Sequence, residues 1–234
     1  MSKKVCLIIP AYNEESALGN VIRSLNEVFS KASYEYEVVV VDDGSKDATK
    51  QIAADSGATV IRHILNIGSG GATSTGLSYA QQNGYDVAAT LDADGQHAAE
   101  DVLKGVQLME KGEHDLLIGS RLIDSKGMSR VKVLGNKGLS FITYLLFGVN
   151  VTDSQSGLRI FSYKALNQLK WKTSGYEFCS EMLWRAKQQR LHIGEYPIKA
   201  IYTDYSKAKG QNNWNAFNII KTLLRRRLVE LVSE

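Results

Sequence analysis

Residues 88–97 read Ala-Ala-Thr-Leu-Asp-Ala-Asp-Gly-Gln-His. An apolar run meets two carboxylates spaced i, i+2, Asp92 and Asp94, and the amide of Gln96 follows two positions later. If the chain turns just past a strand, carboxylates at this spacing can aim at one cation. Hard oxygen donors suit Mg2+ or Mn2+. Mg2+ typically joins one or two carboxylates to the phosphates of a substrate, so the run asks for a nucleotide diphosphate. The competing reading is a plain polar turn built on Asp94-Gly95.

Other segments pose the same question. In Pro10-Ala-Tyr-Asn-Glu14, Asn13 is expected to cap a helix, and Tyr12 could line a base or ribose. In Asp42-Asp43-Gly44-Ser45, a strand-end carboxylate can accept from a nucleobase imide or a ribose, while Ser45 suits a cap. Asn66-Ile-Gly-Ser-Gly-Gly71 could turn backbone N–H groups toward an anion. It is not the dinucleotide fingerprint, because position 73 is Thr, and no Gly-Lys-Ser/Thr of a P-loop occurs. Arg121 ends Gly119-Ser-Arg121, and Arg159 ends Asp153-Ser-Gln-Ser-Gly-Leu-Arg159, with Lys137 upstream. Guanidinium forks match phosphate; a structural pair between Arg159 and Asp153 is the alternative. His97 reads as a solvated histidine at a helix start.

These clusters need elements to hold them. Apolar strands are expected at 5–10, 37–42, 58–62, 86–91 and 115–119, alternating with helices at about 14–29, 48–55, from the glycine-rich loop through Ala80, and 98–111. That alternation argues an α/β fold with a mostly parallel central sheet flanked by helices. Ligands of such sheets sit beyond the carboxyl ends of the strands. The polar clusters after Ile9, Val41 and Leu91 all fall there. Farther on, a polar loop at 121–132, an apolar helix at 133–149, a short strand near 158–161, a helix at 177–189, a strand at 192–201 and a lysine-rich loop at 203–213 are expected. A single nucleotide-binding domain is assigned to 1–211, and a basic amphipathic helix to 212–234.

Composition narrows the class. The chain has 234 residues, 44% hydrophobic, and a net charge of +3 with 25 acidic residues, so it is no polycation built for nucleic acid. Two cysteines in apolar contexts suit a reduced, cytoplasmic protein. The first strand is too short for the apolar region of a signal peptide. No stretch reaches the roughly 18 apolar residues of a membrane span.

Pro-Ala-Tyr-Asn-Glu (10–14), Val-Asp-Asp-Gly-Ser (41–45), Asp-Ala-Asp-Gly-Gln (92–96), Gly-Ser-Arg (119–121) and Ser-Gly-Leu-Arg (156–159) occur in that order. Over roughly 4–210 the chain resembles glycosyltransferase family 2, in its dolichyl-phosphate mannosyltransferase-like branch. The resemblance implies a GT-A fold that binds a nucleotide-diphospho-sugar. It implies that Pro10, Tyr12, Glu14, Val41 and Asp43 hold the nucleoside. Asp92, Ala93, Asp94 and Gln96 would serve the diphosphate and a divalent metal, with Asp94 and Gln96 nearest the metal. Arg121, Lys137, Arg159 and Lys207 or Lys209 would meet the donor and acceptor phosphates. Asp92, Asp94 and Arg121 are the expected catalytic residues. Thr203, where the branch carries arginine, and Lys137, commonly arginine, point away from GDP-mannose, while Asp-Gly-Gln-His (94–97) and Tyr-Ser-Lys-Ala-Lys-Gly (205–210) look more like relatives that use UDP-sugars.

The implied reaction is inverting transfer to a polyprenyl phosphate such as undecaprenyl phosphate, supplying a lipid-linked sugar for cell-surface glycans. A phosphate monoester has a second pKa of about 6 and needs no general base, so none is assigned; Glu181 lies in a family-like segment. Residues 139–149 and 214–232 are the expected membrane-surface contacts, since basic amphipathic helices bind anionic bilayers. Packing of the last helix into the core is the alternative. Peripheral attachment at the inner face of the plasma membrane follows, with a small membrane-spanning subunit as a further expected partner. Two other readings stay open: transfer to a glycan or protein hydroxyl, and a non-catalytic binding subunit.

Overall fold

Continuous apolar strands place one seven-stranded sheet at the centre of the computed structural model, which describes residues 3–202 and 220–224. In chain order the elements are β1 (Lys4–Ala11), α1 (Leu18–Phe29), β2 (Glu35–Asp42), α2 (Thr49–Asp55), β3 (Thr59–Arg62), α3 (Ser69–Gln82) and β4 (Val87–Thr90). Then come α4 (Ala99–Met109), β5 (Leu116–Ser120), α5 (Arg130–Phe147), β6 (Arg159–Ser162), α6 (Tyr163–Gln168), α7 (Phe178–Gln188) and β7 (Ile193–Pro197). Residues 220–224 are helical.

The sheet order is β3-β2-β1-β4-β6-β5-β7. β1 pairs in parallel with β2 and β4, β2 with β3, and β5 with β7. Alternate residues of the inner strands feed two cores. Cys6, Ile8, Val39 and Val41 face α3, α6 and α7, whereas Val5, Leu7, Ile9, Val38 and Val40 face α1 and α4. This period-2 split explains why the strands read as unbroken apolar runs: both faces are covered.

β6 is the exception that matters for the site. It runs antiparallel to β4 and β5, pairing Arg159 with Thr90 and with Ile118. An antiparallel strand brings its first residue to the edge where its parallel neighbours end. Arg159 therefore stands beside the exit of β4, next to the Asp92 turn.

Several local expectations change. The first helix begins at Leu18, not near Glu14, and Asn13 does not cap it. Asn13 has a left-handed backbone, φ 53°, and its side-chain oxygen accepts the Lys46 amide at 2.9 Å, bridging two loops. Ser45 likewise caps no helix; its hydroxyl accepts the Asn13 amide at 2.9 Å, and Asp42 accepts the Ser45 amide at 2.9 Å. α5 starts three residues early because the Ser129 hydroxyl caps it, accepting the Lys132 amide at 3.4 Å. The short α6 was not expected; the Ser162 hydroxyl, accepting from Ala165 at 3.2 Å, starts it. The last strand stops at Pro197, and 198–202 run on without regular structure to the mouth of the cleft. Cys6 and Cys179 are both buried and free.

Candidate active site

Beyond the carboxyl ends of β1, β2 and β4 lies a cleft of about 630 Å3, within the range of small-ligand sites. Pro10, Tyr12, Glu14, Asp43, Asp92, Ala93, Asp94, Gln96, Arg121 and Arg159 all line it. Segments separated by up to about 150 residues thus meet at one face, as the strand-end argument requires.

Two carboxylates define the floor. Asp94 accepts from the Gln96 backbone N–H at 3.0 Å and from its side-chain amide at 2.8 Å. Gln96 thereby orients Asp94. Burial, and then the negative charge of Asp92, push the Asp94 carboxyl up to about 6, against the Gln96 hydrogen bond. Asp92 is held below the usual carboxylate range: its place at the cleft floor works to raise it, but the His97 hydrogen bond and the charges of Arg121 and Arg159 outweigh that. The Asp92 side chain is 51% exposed, toward the cleft, and no side chain of residue 157 covers it, because a Cβ at Gly157 would overlap its carboxylate.

Like charges held together in a cleft are what a cation relieves. Two hard carboxylates leave most of a coordination shell open, which fits Mg2+ or Mn2+ sharing its shell with substrate phosphates. Among the described residues no cluster of three or more His, Cys, Asp or Glu side chains is arranged to hold a metal ion, so an all-protein cage is not what this floor offers.

His97 is not solvated. Its ring is buried, and Nε2 lies 3.1 Å from Asp92 Oδ2. Nδ1 is buried and has no partner among the described residues. A bare ring nitrogen loses less in such a place than an N–H would, so the hydrogen belongs on Nε2, donated to Asp92.

The arginines divide their work differently from the sequence reading. Asp153 is fully buried and pairs with Arg121, not Arg159: Nε and Nη2 donate to its two oxygens at 2.7 and 2.9 Å. Burial opposes charge on Arg121, but Asp153 and then Asp92 more than offset it and strengthen its hold on the proton. Asp153 is placed in turn by Glu195 of β7, which accepts the Thr152 and Asp153 amides at 2.8 and 3.1 Å. Arg159 is 1% exposed and donates to the carbonyls of Ser154, Ser156 and Cys179. It supplies positive charge from beneath the Asp92 turn while its donors serve the backbone.

Three further expectations change. Val41 is fully buried in the sheet and does not line the cleft; it packs in the core beneath the strand end that carries Asp43. Lys137 is exposed on another face of α5, whereas Lys132, Gly135, Asn136 and Leu139 line the cleft. Helical spacing carries this signal: residues 132, 135 and 139 share a face, and 137 is turned away. Lys132 sits over the Tyr202 ring at 4.3 Å. Most amides of the glycine loop serve the protein itself. Gly68, at φ 95°, and Ile67 donate to Asp43 at 2.8 and 3.0 Å, while Gly70 and Gly71 donate to Ser174. Glu181 is buried, accepting the Lys172 and Thr173 amides, and is outside the cleft lining. Lys207 and Lys209, and most of 212–234, lie outside the described residues.

Residues 6–170 match the family described as Glycosyl transferase family 2. A UDP-N-acetylglucosamine–dolichyl-phosphate N-acetylglucosaminyltransferase from Methanococcus voltae is 44% identical, the alignment covering 95% of this chain and 95% of that protein. An undecaprenyl-phosphate mannosyltransferase from Micrococcus luteus is 29% identical over 88% of this chain and 87% of that one. Glucosyl-3-phosphoglycerate synthase from Mycobacterium tuberculosis, solved in complex with Mn2+, UDP and glucosyl-3-phosphoglycerate, superposes with a TM-score of 0.74 at 20% identity, over 97% of this chain and 79% of that chain. The sheet and its flanking helices are those of the GT-A fold.

Proposed function

The chain belongs to glycosyl transferase family 2, and from that premise we propose that it transfers a sugar from a UDP-sugar to a polyprenyl phosphate, with a divalent metal and with inversion. The observation that carries this reading is the cleft floor: Asp92 and Asp94, the latter oriented by Gln96, line it together with Arg121, whose guanidinium is held by Asp153. The name of the M. voltae relative supports UDP-N-acetylglucosamine as the first donor to test.

In this account Tyr12, Glu14 and Asp43 hold the nucleoside. Asp94, steadied by Gln96, and Asp92 hold Mg2+ or Mn2+, which when bound offsets the charge of the departing diphosphate. Arg121 cannot swing freely while Asp153 grips it, so its charge is preorganised against the phosphates. Lys132 takes the place expected of Lys137 at the acceptor side, near Tyr202. The acceptor phosphate is already an oxyanion near pH 7. Glu14, Asp43, Asp92 and Asp94 are the carboxylates of the described lining, and each has a task in binding donor or metal. A hydroxyl acceptor would need a general base besides these.

A lipid acceptor needs contact with a bilayer, and no helix among the described residues is long and apolar enough to cross one. α5 supports a surface contact. Leu134 is 75% exposed, and Phe141 and Leu145 are exposed on the helix whose inner face lines the cleft. Arg130 and Lys137 add charge beside them. At the far end of the chain Leu223 is buried in the core with Ile220 against it, so that turn packs inward; the rest of 212–234 is proposed as the second contact.

The test is incubation with UDP- and GDP-sugars, Mg2+ or Mn2+, and undecaprenyl phosphate. Transfer from a UDP-sugar, lost in Asp94→Ala, supports the reading. No product from any donor, or full activity in Asp94→Ala, contradicts it.

A further inference from the structure

A carboxylate has about four acceptor positions, two on each oxygen. Asp43 Oδ1 accepts from His63 Nδ1 at 2.7 Å and from the Ile67 amide at 3.0 Å. Oδ2 accepts from the Gly68 amide at 2.8 Å. Three positions are filled from within the protein, and one on Oδ2 is left for whatever enters the cleft that Asp43 lines. His63 Nδ1 must be the donor to an ionised carboxylate. Nε2, 3.0 Å from Thr75 Oγ1, then accepts the threonine hydrogen. The side chains of His63 and Asp43 are 14% and 4% exposed, so bulk water does not freely replace the ring.

We propose that His63 is a specificity-determining residue. By filling one acceptor position of Asp43 it leaves the site a single one, and this selects uracil over guanine. The inference rests on the reading of the cleft as a nucleotide-sugar site. Uracil offers one ring N–H between two carbonyls, which one open position satisfies. Guanine presents its ring N–H and its amino group side by side and wants both oxygens of a carboxylate. At Asp43 one of those donors would be dehydrated with no partner, a loss of about 1–3 kcal/mol or roughly ten- to a hundredfold in affinity. Cytosine is refused by Asp43 itself, because its ring nitrogen is an acceptor facing a carboxylate, and that refusal does not depend on His63.

Calorimetric binding of UDP, GDP and CDP, with Mn2+, to the full chain tests this. The wild type is expected to favour UDP over GDP by about tenfold or more. His63→Leu shrinks that ratio about tenfold, and His63→Asn, whose amide can donate where Nδ1 does, restores it. CDP stays weak in all three. A folded His63→Leu protein that binds UDP with an unchanged UDP:GDP ratio overturns the proposal. Equal weakening of both nucleotides, as a purely structural role would give, overturns it as well. Should His63→Leu not fold, Thr75→Val decides by the same ratio, since it removes the partner that fixes the ring. A wild type that prefers GDP refutes the role of His63 alone, whereas a wild type that binds no nucleotide refutes the nucleotide-site reading and the proposal with it.

Discussion

Replacing Asp94 by asparagine should stabilise the metal-free protein while abolishing its response to metal. The Asp94 carboxyl is pushed from an ordinary 3.8 up to about 6 by burial and by Asp92. At about 1.36 kcal/mol per pKa unit, its ionised form is disfavoured in the fold by about 3 kcal/mol. Solvent in the open cleft screens part of this, leaving about 1–2 kcal/mol. The sign follows from linkage. A carboxyl whose folded pKa is raised favours the folded state fully below pH 3.8 and loses that contribution as pH rises through about 6. Above that, wild type carries an unfavourable charge that Asp94→Asn lacks; the Gln96 amide need only rotate to face the new side chain. Thermal unfolding in EDTA at pH 7.5 should show the variant about 2–8 °C above wild type, and the gap should close by pH 4. Adding Mn2+ and UDP should raise the wild-type transition and leave the variant in place. A variant less stable than wild type at pH 7.5, by the same margin as at pH 4, would refute the idea that these carboxylates are held in repulsion for a cation.

Three other outcomes follow from single contacts. Asp153→Ala leaves the Arg121 guanidinium buried without its partner; a loss of about 3–5 kcal/mol in urea unfolding is expected, with transfer abolished, and an unchanged midpoint would contradict the pair. Gly157→Ala pushes a methyl against the Asp92 carboxylate, so kcat should fall at least about tenfold, a displacement cost of about 1.4 kcal/mol; wild-type kcat would show that Asp92 tolerates the shift. Lys132→Ala should raise the KM for the lipid acceptor, whereas Lys137→Ala should leave it unchanged, because the cleft takes the first side chain and not the second; the reverse pattern would put the acceptor on the other face of α5.

Much of this was legible in the sequence for a physical reason. Parallel strands covered on both faces must be apolar throughout, so β1, β2 and β4 announce themselves, and the polar residues that follow each one fall at one edge. What the spacing does not carry is direction and pairing. β6 is four residues long, and nothing in Arg-Ile-Phe-Ser says that it runs antiparallel, although that direction is what delivers Arg159 to the Asp92 turn. Asp153 lies six positions before Arg159 and thirty-two after Arg121, yet it pairs with the distant arginine, because β5 ends beside the 152–156 loop. His97 looked solvated because a histidine after a turn usually is; its burial comes from packing under Asp92, which no local pattern encodes. Lys132 was recoverable, since counting helical phase back from Leu139 separates it from Lys137.

The central claim is metal-dependent transfer to a phosphate, without a general base. It is tested most directly by offering the enzyme a UDP-α-sugar, Mn2+ and either undecaprenyl phosphate or undecaprenol, and reading the anomeric coupling of the product by NMR. The account predicts a β-linked sugar phosphate from undecaprenyl phosphate, none from undecaprenol, and none in EDTA. An α-linked product, or equal transfer to undecaprenol, would contradict it.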